Sequence, residues 1–426
     1  MLTCGIDFGT SNSALALGIS APKSGAERVS LVPVEDTSDT LPTALFYAPH
    51  LPAPATGRAA QKLFFEGEEG RFMLSLKRIL GTSLMRQSTA VNGKPKKFDE
   101  IIADFLRQMK IRAERAAGQA LEHAVMGRPV HFVDHDAAAD RAAENQLAAI
   151  ARKTGFRHIR FQFEPIAAAF AHERKVNRET LALVVDIGGG TSDFTLIKIA
   201  AAYADKPDRK EDILGNSGVR IGGNDFDKQL SLAAFMPHFG YDTTYGDKNL
   251  TLPQAPFHDM SEWSKVNFLY TPKFKSDMRA VYRQSHAPEK LGRYLHLLEH
   301  ENGHKLLSAV EDCKIDMTRK TETLAALPFV EPNLNIPCTR AGFDTAIGAD
   351  MTDIFSALDR CLADAGVAPE AVGMVILTGG PTEMPLLQDL IRRKFPAAVI
   401  SEDNRMSSVA LGLGYDSLRV FGATIS

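Results

Sequence analysis

The chain has 426 residues, a formal net charge of −3 at neutral pH, 44% hydrophobic residues and 24% charged residues. These values are typical of a globular protein, and the length exceeds that of a single ordinary core, so two lobes are expected. The charge provides no broad basic field for nucleic acid, and no apolar run approaches the roughly 18 residues of a membrane span. We therefore expect no nucleic-acid partner, no membrane and a cytoplasmic location, because the amino terminus lacks a basic segment before a hydrophobic stretch.

The first predicted element is a hairpin with a turn of small residues. The apolar run Leu2 to Ile6 precedes residues 7–13 (Asp-Phe-Gly-Thr-Ser-Asn-Ser), and the run Ala14 to Ile19 follows them. Glycine lets a backbone approach a ligand closely and aim several N–H groups in one direction, which suits phosphate oxygens. A carboxylate such as Asp7 repels phosphates unless a cation lies between them, and Mg²⁺ takes one or two carboxylates together with phosphate oxygens and waters.

Helical and strand patterns alternate from residue 75 to the middle of the chain. The periodicities predict a short helix over residues 75–81, a long helix from Asp99 to about Ala124, a strand from Val130 to Val133, a helix from about Ala137 to Thr154, a strand from Ile159 to Phe163 and a helix that starts at Glu164-Pro165. The four cysteines, Cys4, Cys313, Cys338 and Cys361, lack C-x-x-C spacing and are expected to be reduced, mostly buried thiols.

A second hairpin repeats the first. Residues 186–193 (Asp-Ile-Gly-Gly-Gly-Thr-Ser-Asp) stand between the apolar runs Leu181 to Val185 and Phe194 to Ile199. Neither turn has the spelling of a P-loop or of a dinucleotide-binding motif. Each could be an ordinary hairpin whose Asp and Gly residues only serve the turn. Two such hairpins that face each other would instead clamp a nucleotide–metal complex.

Four segments in this order resemble the nucleotide-binding domain of the heat-shock 70 (DnaK-like) chaperone family: the first hairpin, residues 164–169 (Glu-Pro-Ile-Ala-Ala-Ala), the second hairpin and residues 221–227 (Ile-Gly-Gly-Asn-Asp-Phe-Asp). Residues 127–129, 218–225 and 311–314 resemble, more narrowly, short bacterial DnaK-like proteins of the YegD kind. The resemblance implies an α/β, actin-like ATPase fold (ribonuclease H-like), with ATP or ADP and Mg²⁺ in a cleft between two lobes. It implies lobe I over residues 1–180, with an inserted subdomain at about 38–110, and lobe II over 181–426, with an enlarged one at about 222–339.

The resemblance also assigns roles at matching positions. Asp7 and Asp186 would hold Mg²⁺ through water, Lys77 would place its ammonium near the γ-phosphate, and Glu164 and Asp193 would orient the attacking water. The other nucleotide contacts would come from Gly9, Thr10, Ser11, Asn12, Gly188, Gly189, Gly190, Thr191, Gly222, Gly223, Glu311, Lys314, Gly379 and Gly380. Plainer alternatives exist: a solvent-facing Lys77, a Glu164 that only serves a helix terminus, and a surface ion pair between Glu311 and Lys314.

Four departures from the family pattern stand beside the matches. Ile315 and Glu383 occupy positions where the family has Arg, Pro381 replaces a Ser, and residues 405–407 (Arg-Met-Ser) replace Pro-Asp-Glu. Two missing guanidinium faces predict either weaker adenine affinity or an altered base preference, since each stacking contact contributes about 0.5–2 kcal/mol. After Gly414 only about a dozen residues follow, so no peptide-binding domain is expected. The long segment around Trp263 is either a partner-binding surface or extra core and loop.

Three functions compete at this point. The first is a DnaK-like protein that binds ATP, hydrolyses it slowly and meets a protein client or a nucleotide-exchange partner. The others are a small-molecule kinase of the same superfold and an actin-like assembling scaffold. A fourth signal, residues 300–304 (His-Glu-Asn-Gly-His), spells a zinc motif with Glu322 as a conceivable third ligand, but Gly303 weakens the helix that this motif requires.

Overall fold

The computed structural model describes residues 2–20, 27–35, 38–133, 136–173, 176–203, 206, 209–401 and 407–422. Arg405 and Met406, part of one predicted departure, lie outside the described residues. The first half contains β1 (Leu2–Phe8), β2 (Asn12–Ser20), β3 (Glu27–Leu31), β4 (Thr40–Pro42), β5 (Ala44–Tyr47), β6 (Ala55–Thr56), α1 (Arg58–Phe65), β7 (Arg71–Leu74), β8 (Ser88–Val91), β9 (Lys94–Lys97), α2 (Phe98–Ala117), β10 (His123–Arg128), α3 (Ala137–Lys153), β11 (His158–Phe163) and α4 (Glu164–Glu173).

The second half contains β12 (Thr180–Ile187), β13 (Ser192–Ile199), β14 (Ile213–Val219), α5 (Gly223–Leu230), β15 (Thr244–Tyr245), β16 (Leu250–Thr251), α6 (Ala255–Met260), α7 (Pro272–Tyr282), α8 (Pro288–Glu299), α9 (Gly303–Asp316), β17 (Glu322–Ala326), β18 (Asn335–Thr339), α10 (Arg340–Ala346), α11 (Gly348–Asp364), β19 (Met374–Thr378), α12 (Pro385–Lys394), β20 (Val399–Ser401) and α13 (Ser408–Gly422).

Two central sheets with the same strand arrangement organise the molecule. The first has the order β11-β10-β1-β2-β3, with β4 also paired to β2, and the second has the order β14-β13-β12-β19-β20. In each sheet three neighbouring strands pair antiparallel: β1, β2 and β3 in the first sheet, and β12, β13 and β14 in the second. Two further strands pair parallel on the other side of β1 or β12, namely β10 and β11 in the first sheet and β19 and β20 in the second. The repetition seen in the two hairpins therefore extends to the whole of each sheet, and we refer to the surrounding parts as the first and second lobes.

Both predicted hairpins are confirmed. Strands β1 and β2 pair antiparallel with Asp7 opposite Ala14, and β12 and β13 pair antiparallel with Asp186 opposite Asp193. The first turn is tight, because a Cβ added to Gly9 would lie 1.9 Å from the carbonyl oxygen of Asn12. Asp7 and Asp186 are therefore each the second-to-last residue of their strand, directly before the turn of the hairpin.

The prediction for the end of the long helix was wrong. Helix α2 stops at Ala117 because Gly118 takes the left-handed conformation, with φ of 69°. Ala124 lies in β10, and the strand expected at residues 130–133 lies earlier, at 123–128. Leu121 and Ala124 are buried strand-side residues whose spacing continued the helical pattern by coincidence. The short helix expected at residues 75–81 is a 3₁₀ turn, Leu76–Ile79.

Each lobe has its own hydrophobic core, and a further core lies between the two sheets. Helix α13 packs against α4 and against β1, β2 and β10, and its small residues permit close contact. A Cβ added to Gly412 would lie 1.7 Å from the carbonyl oxygen of Ala167, and one added to Gly5 would lie 2.3 Å from the backbone nitrogen of Gly414. Leu413 is fully buried in the cluster that joins Val125 to Val184. Residues from both sheets therefore share one hydrophobic base beneath the facing turns.

Two other expectations can be compared with the described residues. All four cysteines are free and buried, as predicted. Within the described ranges, no helix is both long and apolar enough to span a bilayer.

Candidate functional site

The two hairpin turns face each other. A Cβ added to Gly189 would lie 2.2 Å from Oγ of Ser11, so the tips of the first and second hairpins are close neighbours. The second turn is held by the start of α5, because the backbone N–H of Gly223 donates to the carbonyl oxygen of Gly188 over 2.9 Å. Asn224 N donates in the same way to Gly189 O, over 2.7 Å. Residues that lie far apart in the sequence are thus brought together around one cleft.

Lys77 and Glu164 form an ion pair at this cleft. Nζ of Lys77 donates to Oε1 of Glu164 over 2.6 Å, and each side chain is 11% exposed. Lys77 stands on the 3₁₀ turn after β7, whereas Glu164 is the first residue of α4. The solvent-facing alternative for Lys77 is therefore wrong, and Glu164 has a charged partner in addition to its place at a helix terminus.

The pKa values of Asp7 and Asp186, the aspartates that precede the two turns, are both raised. Burial, together with the nearby Glu164 carboxylate, raises the pKa of Asp7 to about 7. Burial and the carboxylates of Asp193, Glu164 and Asp7 raise the pKa of Asp186 to about 8. Burial alone would lower the pKa of Lys77, but Glu164 and Asp7 outweigh it and the pKa is raised.

This donor set fits a magnesium ion bound through water. Two carboxylates that repel each other lie beside the glycine turns, and a hydrated cation near both would reduce this repulsion. Among the described residues no group of three or more His, Cys, Asp or Glu side chains is arranged to hold a metal directly.

The opposite side of the cleft is built from three separate segments. A Cβ added to Gly223 would lie 3.2 Å from Cγ of Pro381 and 3.6 Å from Nζ of Lys314. Lys314 donates to Oδ2 of Asp227 over 2.7 Å and to the carbonyl oxygen of Gly223 over 3.2 Å. Its ion-pair partner in the described part of the chain is Asp227, so the surface pair with Glu311 was not the correct alternative.

Gly379 fits its position for two reasons. Its φ is 87°, and a Cβ there would lie 2.0 Å from the carbonyl oxygen of Ile187. The same added Cβ would lie 3.3 Å from Oδ1 of Asp186, so this turn reaches the carboxylates of the cleft. Gly380 opens the 3₁₀ turn that follows, before α12. The residues that replace the family arginines face solvent: Ile315 is 54% exposed, and Glu383 is exposed.

The remaining predicted residues lie on or near the two turns and Asp227. Gly222 packs on the second turn, since an added Cβ would lie 2.6 Å from the carbonyl oxygen of Gly188. Asp193 is exposed but close enough to raise the pKa of Asp186. Glu311 similarly raises the pKa of Asp227. Thr10, Gly190 and Thr191 occupy the two turns, and Asn12 begins β2 directly after the first turn.

Sequence reasoning missed Asp227 and Thr43. Burial raises the pKa of Asp227 to about 6 against the opposing effect of Lys314, and its Oδ1 has no hydrogen-bond partner among the described residues. Asp227 is the last residue of the segment 221–227 that resembles the family, and its acidic side chain was the signal that could have identified it as a site residue. Thr43 donates from Oγ1 to the carbonyl oxygen of Gly9 over 2.9 Å and braces the first turn. Nothing in its local sequence marks that role.

The zinc motif does not form. Helix α8 ends at Glu299 and α9 begins at Gly303, so His300 lies in the break between the two helices and only His304 lies on a helix. Glu301 between them takes a left-handed φ of 53°. His300 stacks on His296, with ring centroids 4.0 Å apart, whereas His304 turns toward other aromatic rings.

An aromatic bridge joins the first and second lobes. It consists of Phe64 and Phe65 at the end of α1, Trp263 after α6, and His304 at the start of α9. The ring centroids of Phe64 and His304 are 4.8 Å apart, those of Trp263 and His304 also 4.8 Å, and those of Phe65 and Trp263 6.2 Å. Helix α9 also carries Lys314, so one element links this bridge to the cleft.

One comparison with known proteins bears on this site. The family model described as "Hsp70 protein" matches residues 3–246 and 297–415. The matched parts contain both hairpin turns, the Lys77–Glu164 pair and the segments around Gly223, Lys314 and Gly379. The unmatched residues 247–296 lie inside the segment expected to be enlarged, and they contain Trp263 of the aromatic bridge.

Proposed function

Because the chain belongs to the Hsp70 family, we propose that it binds ATP or ADP with Mg²⁺ between its two hairpin turns and hydrolyses ATP slowly. Family membership confirms the predicted actin-like ATPase fold, and it makes the chain an Hsp70-like, ATP-binding protein of chaperone type. Members of this family bind nucleotide and typically protein clients. The lobe boundary near residue 180, the cytoplasmic location and the roles of individual residues are parts of the proposal.

The observation that carries the proposal is the Lys77–Glu164 pair beside the two aspartates. Phosphoryl transfer needs little covalent help from a protein, so catalysis comes from positioning and from stabilising the charge on the transferred oxygens. The Lys77 ammonium is a compact positive charge, held in place by a 2.6 Å bond to Glu164 rather than free in solvent. It is therefore preorganised to meet such oxygens.

The carboxylates divide into two tasks. Asp7 and Asp186, at the ends of β1 and β12, would hold the hydrated magnesium ion, which when bound neutralises charge between carboxylates and phosphates. Glu164 has a second oxygen beyond the one that accepts from Lys77, and Asp193 is exposed at the start of β13, directly after the second turn. Each carboxylate can accept a hydrogen bond from a water molecule and orient it for attack.

Thermal unfolding with Mg²⁺ plus ATP, ADP, GTP or no nucleotide, followed by phosphate release, tests the proposal. A nucleotide present at about 100 times its dissociation constant should add roughly 2.7 kcal/mol to the stability. The Lys77→Ala variant should bind nucleotide and fold, but it should release phosphate at least about tenfold more slowly, because a group that stabilises the transition state is lost.

The control is Lys290→Ala, which removes an exposed lysine of α8 that is not among the predicted cleft residues. It should match the wild-type protein in both measurements. Lys77→Arg should recover part of the activity, since it keeps the charge. Phosphate release that is equal in the Lys77→Ala and wild-type proteins would remove Lys77 from the mechanism, and the absence of stabilisation by any nucleotide would refute binding.

A further inference from the structure

A second concave surface lies away from the cleft. A groove of about 820 Å³ opens between the segment after β3, helix α1 and helix α2. Its charged lining residues are Glu35, Arg58, Lys62, Arg112 and Arg115. Four cations thus face one carboxylate, an excess of three positive charges on a chain whose net charge is −3.

The single carboxylate is already engaged. Oε1 of Glu35 accepts from the backbone N–H of Arg58 over 2.8 Å, and Oε2 accepts from Nη1 of Arg58 over 2.6 Å. Lys62 is 3.8 Å from Glu66, and both of these side chains are exposed, so this pair contributes little. In the described ranges neither Arg112 nor Arg115 forms an ion pair.

Arg112 is the residue that most requires a partner. Its Nη2 donates to Oγ1 of Thr56 over 2.7 Å, but its Nη1 is buried and has no hydrogen-bond partner among the described residues. Burial and the like charge of Arg115 lower the pKa of Arg112, and the Glu35 carboxylate opposes them only in part. A guanidinium nevertheless stays charged in a protein, so this donor cannot escape its cost by losing a proton. A ligand oxygen that accepts from this buried charged donor would remove the cost of leaving it unpaired.

We propose that this groove binds a phosphate group, with Arg112 at its centre and Lys62 and Arg115 beside it. A phosphate monoester carries close to two negative charges and three strong acceptor oxygens. The planar fork of an arginine matches that geometry better than a single lysine ammonium does. The phosphate belongs either to a small phosphorylated molecule or to a phosphorylated side chain of a protein.

Fluorescence anisotropy of a labelled phosphoserine peptide, Gly-Ser-Gly-phosphoSer-Gly-Ser, tests the proposal with the full chain. Saturating Mg²⁺ and ADP are included so that the cleft does not capture the probe. The phosphorylated peptide should bind, the unphosphorylated peptide should not, and Arg112→Gln should weaken binding at least about tenfold. Arg115→Gln, which changes an exposed residue and so leaves the fold intact, should weaken it severalfold.

The matched control is Arg141→Gln, which makes the same charge change at an exposed position of α3 outside the groove. It should leave the affinity unchanged. Competition by glycerol 2-phosphate at equal affinity would identify a small phosphorylated molecule as sufficient, and binding of the peptide alone would identify a phosphorylated protein segment. No binding of either probe, equal binding of both peptides, or equal losses in the Arg112 and Arg141 variants would overturn the proposal.

Discussion

Acidification should weaken the folded protein through His304 of the aromatic bridge. The side chain is 7% exposed, and burial lowers its pKa from 6.5 to about 4. Its Nε2 lies 3.1 Å from Oδ1 of Asn267, which can only accept, so Nε2 carries the proton of the neutral ring. Nδ1 is buried and has no partner among the described residues. A second proton placed there would therefore find no acceptor.

The sign and size of the effect follow from linkage. The pKa of His304 in the folded protein lies below its unfolded value, so between pH 6.5 and 4 the unfolded chain binds the proton first. The contribution of the neutral ring to stability is fully present above pH 6.5 and is lost as the pH falls toward 4. These two pKa values correspond to a loss of about 2 kcal/mol at pH 5 and about 3 kcal/mol below pH 4.

The assay is the free energy of unfolding in urea at pH 7.5 and pH 5. Trp263 is the only tryptophan of the chain, so its fluorescence reports on the bridge directly, with circular dichroism as a second probe. His304→Gln keeps a donor for Asn267 but cannot titrate, so it should lose about 2 kcal/mol less than the wild-type protein between the two pH values. His300→Gln changes an exposed histidine and should follow the wild-type protein. An equal loss in the wild-type and His304→Gln proteins would refute the reasoning.

Three further outcomes are expected. Gly379→Ala should lower the free energy of unfolding by more than about 1 kcal/mol, because φ is 87° and the new Cβ meets a carbonyl oxygen at 2.0 Å, whereas Gly348→Ala, with open space, should not. Ile315→Arg should tighten ADP binding about twofold to thirtyfold in titration calorimetry by restoring a cation over adenine; unchanged affinity would contradict the predicted stacking position. Asp227→Ala should cost about 3–5 kcal/mol in urea unfolding, since it strips Lys314 of its carboxylate, and a loss below 1 kcal/mol would show that the pair is dispensable.

Local chemistry made the centre of the site predictable. Each hairpin is specified by residues that are adjacent in sequence: an apolar strand, an acidic residue and a turn of small residues. Both hairpins form and Ser11 lies beside Gly189, so the two turns face each other as predicted. The start of α4 at Glu164 was equally local, because the Glu-Pro pair marks a first helical turn.

Features set by tertiary packing were not predictable. Gly118 is a local signal for the end of α2, but Leu121 and Ala124 continue the helical spacing of apolar residues because they are buried beside and within β10. Asp227 was recognised as part of a motif, but its partner Lys314 comes from another helix. The zinc motif does not form because the helix is interrupted at Glu301, so His300 and His304 do not share one helix although their spacing fits such a site.

The aromatic bridge connects the part of the chain outside the family match with the part inside it. Trp263 belongs to the unmatched residues 247–296, whereas Phe64 and His304 belong to matched segments. Phe64 stacks on Phe72 of β7, with ring centroids 4.4 Å apart, and β7 leads directly to the turn that carries Lys77. His304 begins α9, the helix of Lys314. Separation of the two lobes at this end must therefore break ring contacts that are tied to both sides of the cleft, so the stability of the bridge contributes to the free energy of opening.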